Sequence, residues 1–156
     1  MKGRDVVFST GKDDWMTPPE IFDPLHTEFH FTLDVAASEP NLLPRWLGPD
    51  SRIAEDALAV SWAGEVCFLN PPYTQVAKFV EHAAIARREG ATVVALIPAR
   101  TDTRWWHEFI WDRLRGTWYP GVSGRFIKGR VKFIDPHGSK RNSAPFPSVI
   151  VIWRKW

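Results

Sequence analysis

The chain has 156 residues, 44% of them hydrophobic and 24% charged, a composition that suits one domain over residues 1–156 with a single core and excludes two ordinary domains. No apolar run is long enough to cross a bilayer, Met1-Lys2-Gly3-Arg4-Asp5 lacks the apolar core of a secretion signal, and the lone Cys67 excludes an internal disulfide or a cysteine-clustered zinc site. The net charge of +2 conceals an asymmetry: residues 1–99 carry 8 Lys and Arg against 14 Asp and Glu, residues 100–156 carry 12 against 4.

In chain order, the first clear element is a helix opening at Thr17-Pro18-Pro19-Glu20. Thr17 is expected to cap it, Pro18 to take the first helical position and Glu20 to complete a capping box. Ile21, Phe22, Leu25 and Phe29 then share one helical face. The apolar run Phe31-Thr32-Leu33-Asp34-Val35-Ala36 predicts a first central strand, and residues 39–51, rich in Pro, Asn and Gly, predict irregular chain. Val66-Cys67-Phe68-Leu69 predicts a second buried strand, cut off by Asn70-Pro71-Pro72-Tyr73.

Val76, Phe79, Val80, Ala83 and Ala84 have helical spacing as far as Gly90, a plausible stop. Thr92 to Ile97 reads as a third strand ended by Pro98. Trp105, Trp106, Phe109, Ile110 and Leu114 predict another amphipathic helix. Phe126–Phe133 and Ser148–Trp153 predict two strands around a polar loop at 135–142. Strands alternating with helices and closing on a strand pair point to an α/β fold: a mainly parallel central sheet with an antiparallel C-terminal edge. Ligands in such sheets bind outside the carboxyl ends of the strands, and here those ends carry Asp34, Asn70 and Pro98.

Asn70-Pro71-Pro72-Tyr73 is the most informative segment. Two prolines in succession remove two backbone donors and restrict φ, so the loop is stiff and presents carbonyl oxygens. The asparagine adds an acceptor and the tyrosine a flat face. Such a cluster suits a planar substrate bearing an amine. An adenine amine is a poor nucleophile because its lone pair is delocalised into the ring. Acceptors on its hydrogens favour tetrahedral nitrogen and stabilise the positive charge that grows as a methyl group arrives. A sulfonium methyl donor is already activated, so positioning does the rest, with neither metal nor strong base. The five histidines show no metal-ligand spacing, and no metal is expected.

With these segments in order, the chain resembles the small phage-type DNA N6-adenine methyltransferases, whose Rossmann-like fold binds S-adenosylmethionine. The resemblance runs from about Phe8 to Trp153. It rests on Asp14-Trp15-Met16-Thr17-Pro18, Phe31 to Ala37, Asp56-Ala57-Leu58, Leu69-Asn70-Pro71-Pro72-Tyr73, Leu96 to Trp105 and Gly129-Arg130-Val131-Lys132-Phe133.

The resemblance implies that Trp15, Thr17 and Pro18 close over the methionine end of the cofactor. It places Asp34, Ala36 and Ala37 in the first cofactor motif, although Asp34 as a buried structural cap stays open. This motif departs from the common pattern: no glycine occurs between Lys12 and Gly48. Asp56 would accept a hydrogen bond from the cofactor adenine, and either Glu39 or Asp50 would serve the ribose. Asn70 and the Pro71 carbonyl would hold the target amine, Pro72 would stiffen the loop, and Tyr73 would stack on a base flipped out of the duplex.

Arg100, Thr101 and Arg104 would contact DNA phosphate or close the pocket. Arg130, Lys132, Lys140 and Arg141 would add backbone contacts, with the 135–142 loop as a groove probe or simply a solvated hairpin tip. The basic C-terminal third fits a DNA partner and equally a solvated basic face. Of the nine tryptophans, most are expected in packing and a minority in stacking. The implied setting is the cytoplasm of a bacterial host, with no membrane partner. The same cradle would serve a protein glutamine N5-methyltransferase or, with serine for asparagine, a cytosine N4 enzyme; a catalytically silent DNA-binding module is the alternative from another class. The missing glycine-rich motif, the lack of a substrate domain and the basic C-terminal third weigh against the glutamine enzyme. Target recognition is expected to be short or relaxed, with no separate recognition domain.

Overall fold

A computed structural model describes residues 15–37, 41–135 and 140–156. The helix α1 spans Pro19–Phe29 and leads into β1, Leu33–Asp34. After irregular chain and a 3-10 turn at Ala57–Ala59 comes β2, Val66–Leu69. A second 3-10 turn, Tyr73–Gln75, runs straight into α2, Val76–Arg88. Strand β3 is Thr92–Pro98 and α3 is Arg104–Phe109. The elements that follow among the described residues are strands: β4 Trp111–Asp112, β5 Thr117–Trp118, β6 Val122–Phe126, β7 Lys132–Ile134, β8 Arg141–Ser143 and β9 Ser148–Trp153.

The central sheet has the order β1-β2-β3-β9-β6. Strands β1, β2 and β3 run parallel, with Cys67 opposite both Leu33 and Val93. Strand β9 returns antiparallel to β3, and β6 pairs antiparallel with β9 to form the edge. This is the expected mixed sheet, except that the last strand sits inside it and the earlier β6 takes the rim. Burial explains the placement: all six residues of β9 are buried, as a strand covered on both faces requires.

Side chains alternate between two cores. Leu69, Val93, Ala95, Ile97, Val149 and Val151 pack with Val76, Phe79, Val80 and Ala83 of α2. Phe68, Val94, Leu96, Ile150 and Ile152 pack on the opposite face with Phe22 and Leu25 of α1 and with Val131 and Phe133 of the β7–β8 hairpin. The continuous apolar reading of β3 and β9 follows from this double covering. The hairpin itself is tied to the start of α1 by the Met16–Ile134 bridge.

Several expectations need correction. The capping box at α1 does not form: Pro18 occupies the N-cap without a side-chain cap bond, and Glu20 pairs instead with Arg141 of β8. Thr17 is thereby released for a longer-range contact. Strand β1 is two residues long rather than six, because the chain beyond Asp34 leaves the ladder with β2 after a single further bond from Val35 N to the Phe68 carbonyl.

The helix expected to reach Leu114 stops at Phe109. Trp111 enters the β4–β5 hairpin opposite Trp118, the two rings perpendicular at 5.2 Å, and Leu114 is left 89% exposed at the hairpin tip. The strand expected over 126–133 is two strands interrupted at Gly129, whose φ of 76° breaks extended pairing. Of the tryptophans, Trp62, Trp106 and Trp153 are buried, whereas Trp156 is 77% exposed.

Candidate active site at the carboxyl ends of three parallel strands

Because β1, β2 and β3 are parallel and adjacent, their carboxyl ends lie along one edge of the sheet. Asp34, Asn70 and Pro98 therefore all stand at that edge, as the topology argument requires. Asp34 is buried and closes a tight turn, with Ala36 N donating to its Oδ1 at 3.2 Å. The structural cap left open by the sequence is thus real. Burial pushes the Asp34 carboxyl up to about 7, and the Ala36 hydrogen bond opposes that shift.

Beyond Asp34 the chain runs beside the segment 45–48 instead of turning through glycines. Asp34 N donates to the Arg45 carbonyl, Leu47 N to the Asp34 carbonyl, and Ala37 N to the Leu47 carbonyl. Arg45 secures this segment by ion pairing with Glu65 at the foot of β2, while the Thr32 hydroxyl donates to the same carboxylate. The Arg45 guanidinium holds Glu65 below the ordinary carboxylate range.

Against this platform lies a cleft of about 300 Å³, walled by Val35, Ala36, Ala37, Leu47, Gly48, Phe79 and Pro72, with Glu55, Asp56 and Gln75 as its polar groups. The volume is on the scale of small-molecule sites, roughly 300–1,000 Å³. Apolar walls with a few acids suit a nucleoside: a flat base between aliphatic side chains, amine and hydroxyl donors toward carboxylates. Gly48 forms part of the cradle, and a Cβ there would meet the Ala37 carbonyl oxygen at 1.9 Å. Asp56 sits at the rim, where its Oδ1 also accepts from Leu58 N. Of the two ribose candidates, Asp50 does not line the cleft and Glu39 lies outside the described residues. Glu55 does line it and was not singled out from sequence; nothing in the local pattern distinguishes it from a surface acid.

On the other side of the Asn-Pro-Pro-Tyr segment lies a second cavity of about 290 Å³, lined by Tyr73, Thr74, Val76, Ala77, Pro98, Arg100, Trp105, Pro145 and Phe146. Tyr73 stands perpendicular to Phe146 at 4.9 Å and at 72° to Phe133 at 6.4 Å. The Arg100 guanidinium lies 5.6 Å from the Phe146 ring. Pro72 lines the first cleft and Tyr73 the second, so these two neighbours separate the cavities, while Asn70 and Pro71 line neither. The rigidity of the tetrapeptide has a visible source: Gln75 N donates to the Pro72 carbonyl at 2.9 Å, closing the 3-10 turn that starts α2.

Asn70 is half-buried, and its Nδ2 donates to the Thr17 hydroxyl at 3.1 Å. Thr17 therefore reaches the tetrapeptide. Trp15 lies with Tyr73 and Phe133 on the far side, in a small crevice closed by Ser143 and Ala144. Neither Trp15, Thr17 nor Pro18 lines the 300 Å³ cleft.

The basic residues expected to meet DNA separate by partner. Arg100 lines the second cavity. The Thr101 carbonyl accepts from the His107 ring. Arg104 pairs with Glu108 one helical turn on, and Arg141 is bound to Glu20. Arg130, Lys132 and Lys140 are exposed around the β7–β8 hairpin, whose residues 136–139 lie outside the described residues. Among the described residues, no helix is long and apolar enough to cross a membrane.

Comparison with known proteins identifies a family. The family model described as DNA N-6-adenine-methyltransferase (Dam) matches residues 6–156. The chain is also similar to the DNA N-6-adenine-methyltransferase of Haemophilus phage HP1 (strain HP1c1), 31% identical over 109 residues. The match covers 67% of this chain and 61% of that relative, so the chain spans about three-fifths of the relative's length. No solved structure matches it.

Proposed function

Since the chain belongs to the DNA N-6-adenine-methyltransferase (Dam) family, we propose that it transfers a methyl group from S-adenosylmethionine to the N6 amine of adenine in DNA. The observation that carries this reading is the stiff Asn70-Pro71-Pro72-Tyr73 segment at the end of β2, whose Pro72 lines one cavity of about 300 Å³ and whose Tyr73 lines another of about 290 Å³. One is suited to a nucleoside cofactor and the other to an extruded base.

When bound, S-adenosylmethionine supplies an electrophilic methyl group on a sulfonium. The residues that would hold it are Val35, Ala36, Ala37, Leu47 and Gly48 along the walls, with Glu55 and Asp56 as acceptors for its hydroxyl and amine hydrogens. Asp34 would support the turn beneath. The chain's own task is to hold the amine. Asn70 Oδ1 and the Pro71 carbonyl accept its two hydrogens, draw the lone pair out of conjugation and stabilise the charge that develops on nitrogen. Asn70 and Pro71 would hold the nitrogen while the bound donor supplies the methyl group, and the surplus amine proton would leave to water.

Tyr73, its ring orientation already set by Phe146 and Phe133, stacks on the base, so little side-chain freedom is lost on binding. Arg100 neutralises phosphate at the mouth of the same cavity, with Thr101, Arg104, Arg130, Lys132, Lys140 and Arg141 as peripheral contacts. Recognition would rest on the 100–104 and 135–142 loops within this one domain and be short or relaxed, and the substrate would be met inside a bacterial cell.

The test is incubation with unmethylated duplex DNA and isotope-labelled donor, followed by mass spectrometry of the nucleosides. N6-methyladenine is the expected product. N4-methylcytosine, or transfer only to a glutamine-bearing protein, would replace this reading with another amine acceptor in the same cradle.

A further inference from the structure

We infer that Thr17 is a positioning residue for the Asn70 side chain: its buried hydroxyl tethers Asn70 Nδ2 and so directs Asn70 Oδ1 toward the amine to be methylated. The inference rests on the reading of Asn70 as the amine holder and deepens it.

Thr17 is 2% exposed, and its Oγ1 lies 3.1 Å from Asn70 Nδ2 across 53 residues of sequence. A threonine just before a helix would ordinarily spend its hydroxyl on capping. Here Pro18 occupies the cap and makes no side-chain bond, so the Thr17 hydroxyl is directed elsewhere. Its backbone is held from both sides. Met16 exchanges two hydrogen bonds with Ile134, at 2.9 and 3.0 Å, and the Pro18 carbonyl accepts from Ile21 and Phe22. The hydroxyl is therefore a fixed point, set by α1 and the β7–β8 hairpin, not a mobile rotor on a loop.

An asparagine amide needs such a fixed point. It has a donor end and an acceptor end of nearly equal size, and a half-turn about its last bond exchanges them. Only the acceptor end can serve an amine; the donor end would meet the amine's hydrogens with its own. A hydroxyl can bond either end of the amide; here it accepts from Nδ2, which leaves Oδ1 on the opposite side of the amide and available to the incoming amine.

The substitution to make is Thr17→Val, which keeps the shape and removes the acceptor, with Thr17→Ser as rescue. The expected result for Val is a fall in kcat of about tenfold or more, the scale of one misaligned transition-state contact. KM for DNA and the Kd for S-adenosylmethionine should stay within about twofold, and Ser should recover most of kcat. Independently of activity, the Asn70 side-chain amide protons in a ¹⁵N-edited NMR spectrum should lose their hydrogen-bonded shift and slowed exchange in the Val variant and regain them in Ser.

An unchanged kcat, a loss carried by cofactor Kd, or an Asn70 amide signal indifferent to the substitution would overturn the inference. Should the Val variant fail to fold, Thr17→Ala against Thr17→Ser gives the same comparison. If the wild-type chain leaves DNA unmethylated, the reading of Asn70's task falls, while the amide spectrum still decides whether Thr17 holds it.

Discussion

Gly48 and Ala37 approach so closely that a single methyl group on Gly48 would sit 1.9 Å from the Ala37 carbonyl oxygen. The contact locks the 45–48 segment onto the end of β1 and shapes the wall of the 300 Å³ cleft. Gly48 also has φ of 145°, a region costly for any side chain. Gly48→Ala should therefore cost about 2–4 kcal/mol of stability through backbone displacement and weaken cofactor binding more than DNA binding. Chemical denaturation together with calorimetric titration of S-adenosylmethionine measures both. Wild-type values for both would mean that the cleft wall is not built on this contact.

Asp34 makes stability depend on pH in a direction opposite to that of most acids. Its carboxyl is pushed by burial from the usual 3.8 up to about 7, so the folded state binds a proton that the unfolded state has released. The resulting stabilisation is complete below about pH 4 and disappears as pH rises through about 7. A shift of this size is on the order of 4 kcal/mol. Asp34→Asn lacks the titration, so the wild type should lose more stability than the variant between pH 5 and pH 8. Parallel denaturant-midpoint curves for the two proteins over that range would contradict it.

Asn70→Ala removes one of the two acceptors aimed at the amine. The rate of methyl transfer should fall about 10²- to 10³-fold, the usual effect of deleting one preorganised electrostatic contact. DNA affinity and melting temperature should change little, because Asn70 is half-buried and, among the described residues, its side chain bonds to Thr17. Single-turnover kinetics with saturating DNA separate the chemical step from binding.

The arginines near the second cavity should differ in their effect on DNA. Arg100 lines that cavity, whereas Arg104 is paired with Glu108. Arg100→Ala should weaken binding at low salt and reduce the slope of log K against log salt by about 1. Arg104→Ala should do so less. Equal effects would place the phosphate path along α3 and not over Phe146.

Cys67 lies in the middle of β2, buried against β1 and β3, and burial raises its thiol well above the ordinary range. An aromatic disulfide reagent should leave it unmodified in the native protein and modify it only at the rate of global unfolding. Fast modification in native buffer would show that the sheet opens locally at β2.

Elements whose hydrophobic pattern is uninterrupted, β2, α2, β3 and β9, were legible nearly to the residue, and with them the strand end that carries Asn70-Pro71-Pro72-Tyr73. A double proline after a buried apolar run has few conformations, so its local chemistry survives any tertiary context. Tertiary structure decided what depends on contacts between distant segments. Thr17 has the sequence of a helix cap, yet its hydroxyl serves Asn70, because Pro18 takes the cap and the hairpin pins Met16. Leu114 shares the helical spacing of Trp105, Trp106, Phe109 and Ile110, yet the pairing of Trp111 with Trp118 ends that helix and leaves Leu114 exposed at a hairpin tip. Gly48 and Glu55 carry no local mark of a binding site; only the fold of 41–57 back over β1 brings them to it. Local patterns report which face of an element is apolar, while the identity of the neighbour that covers it is a property of the whole chain.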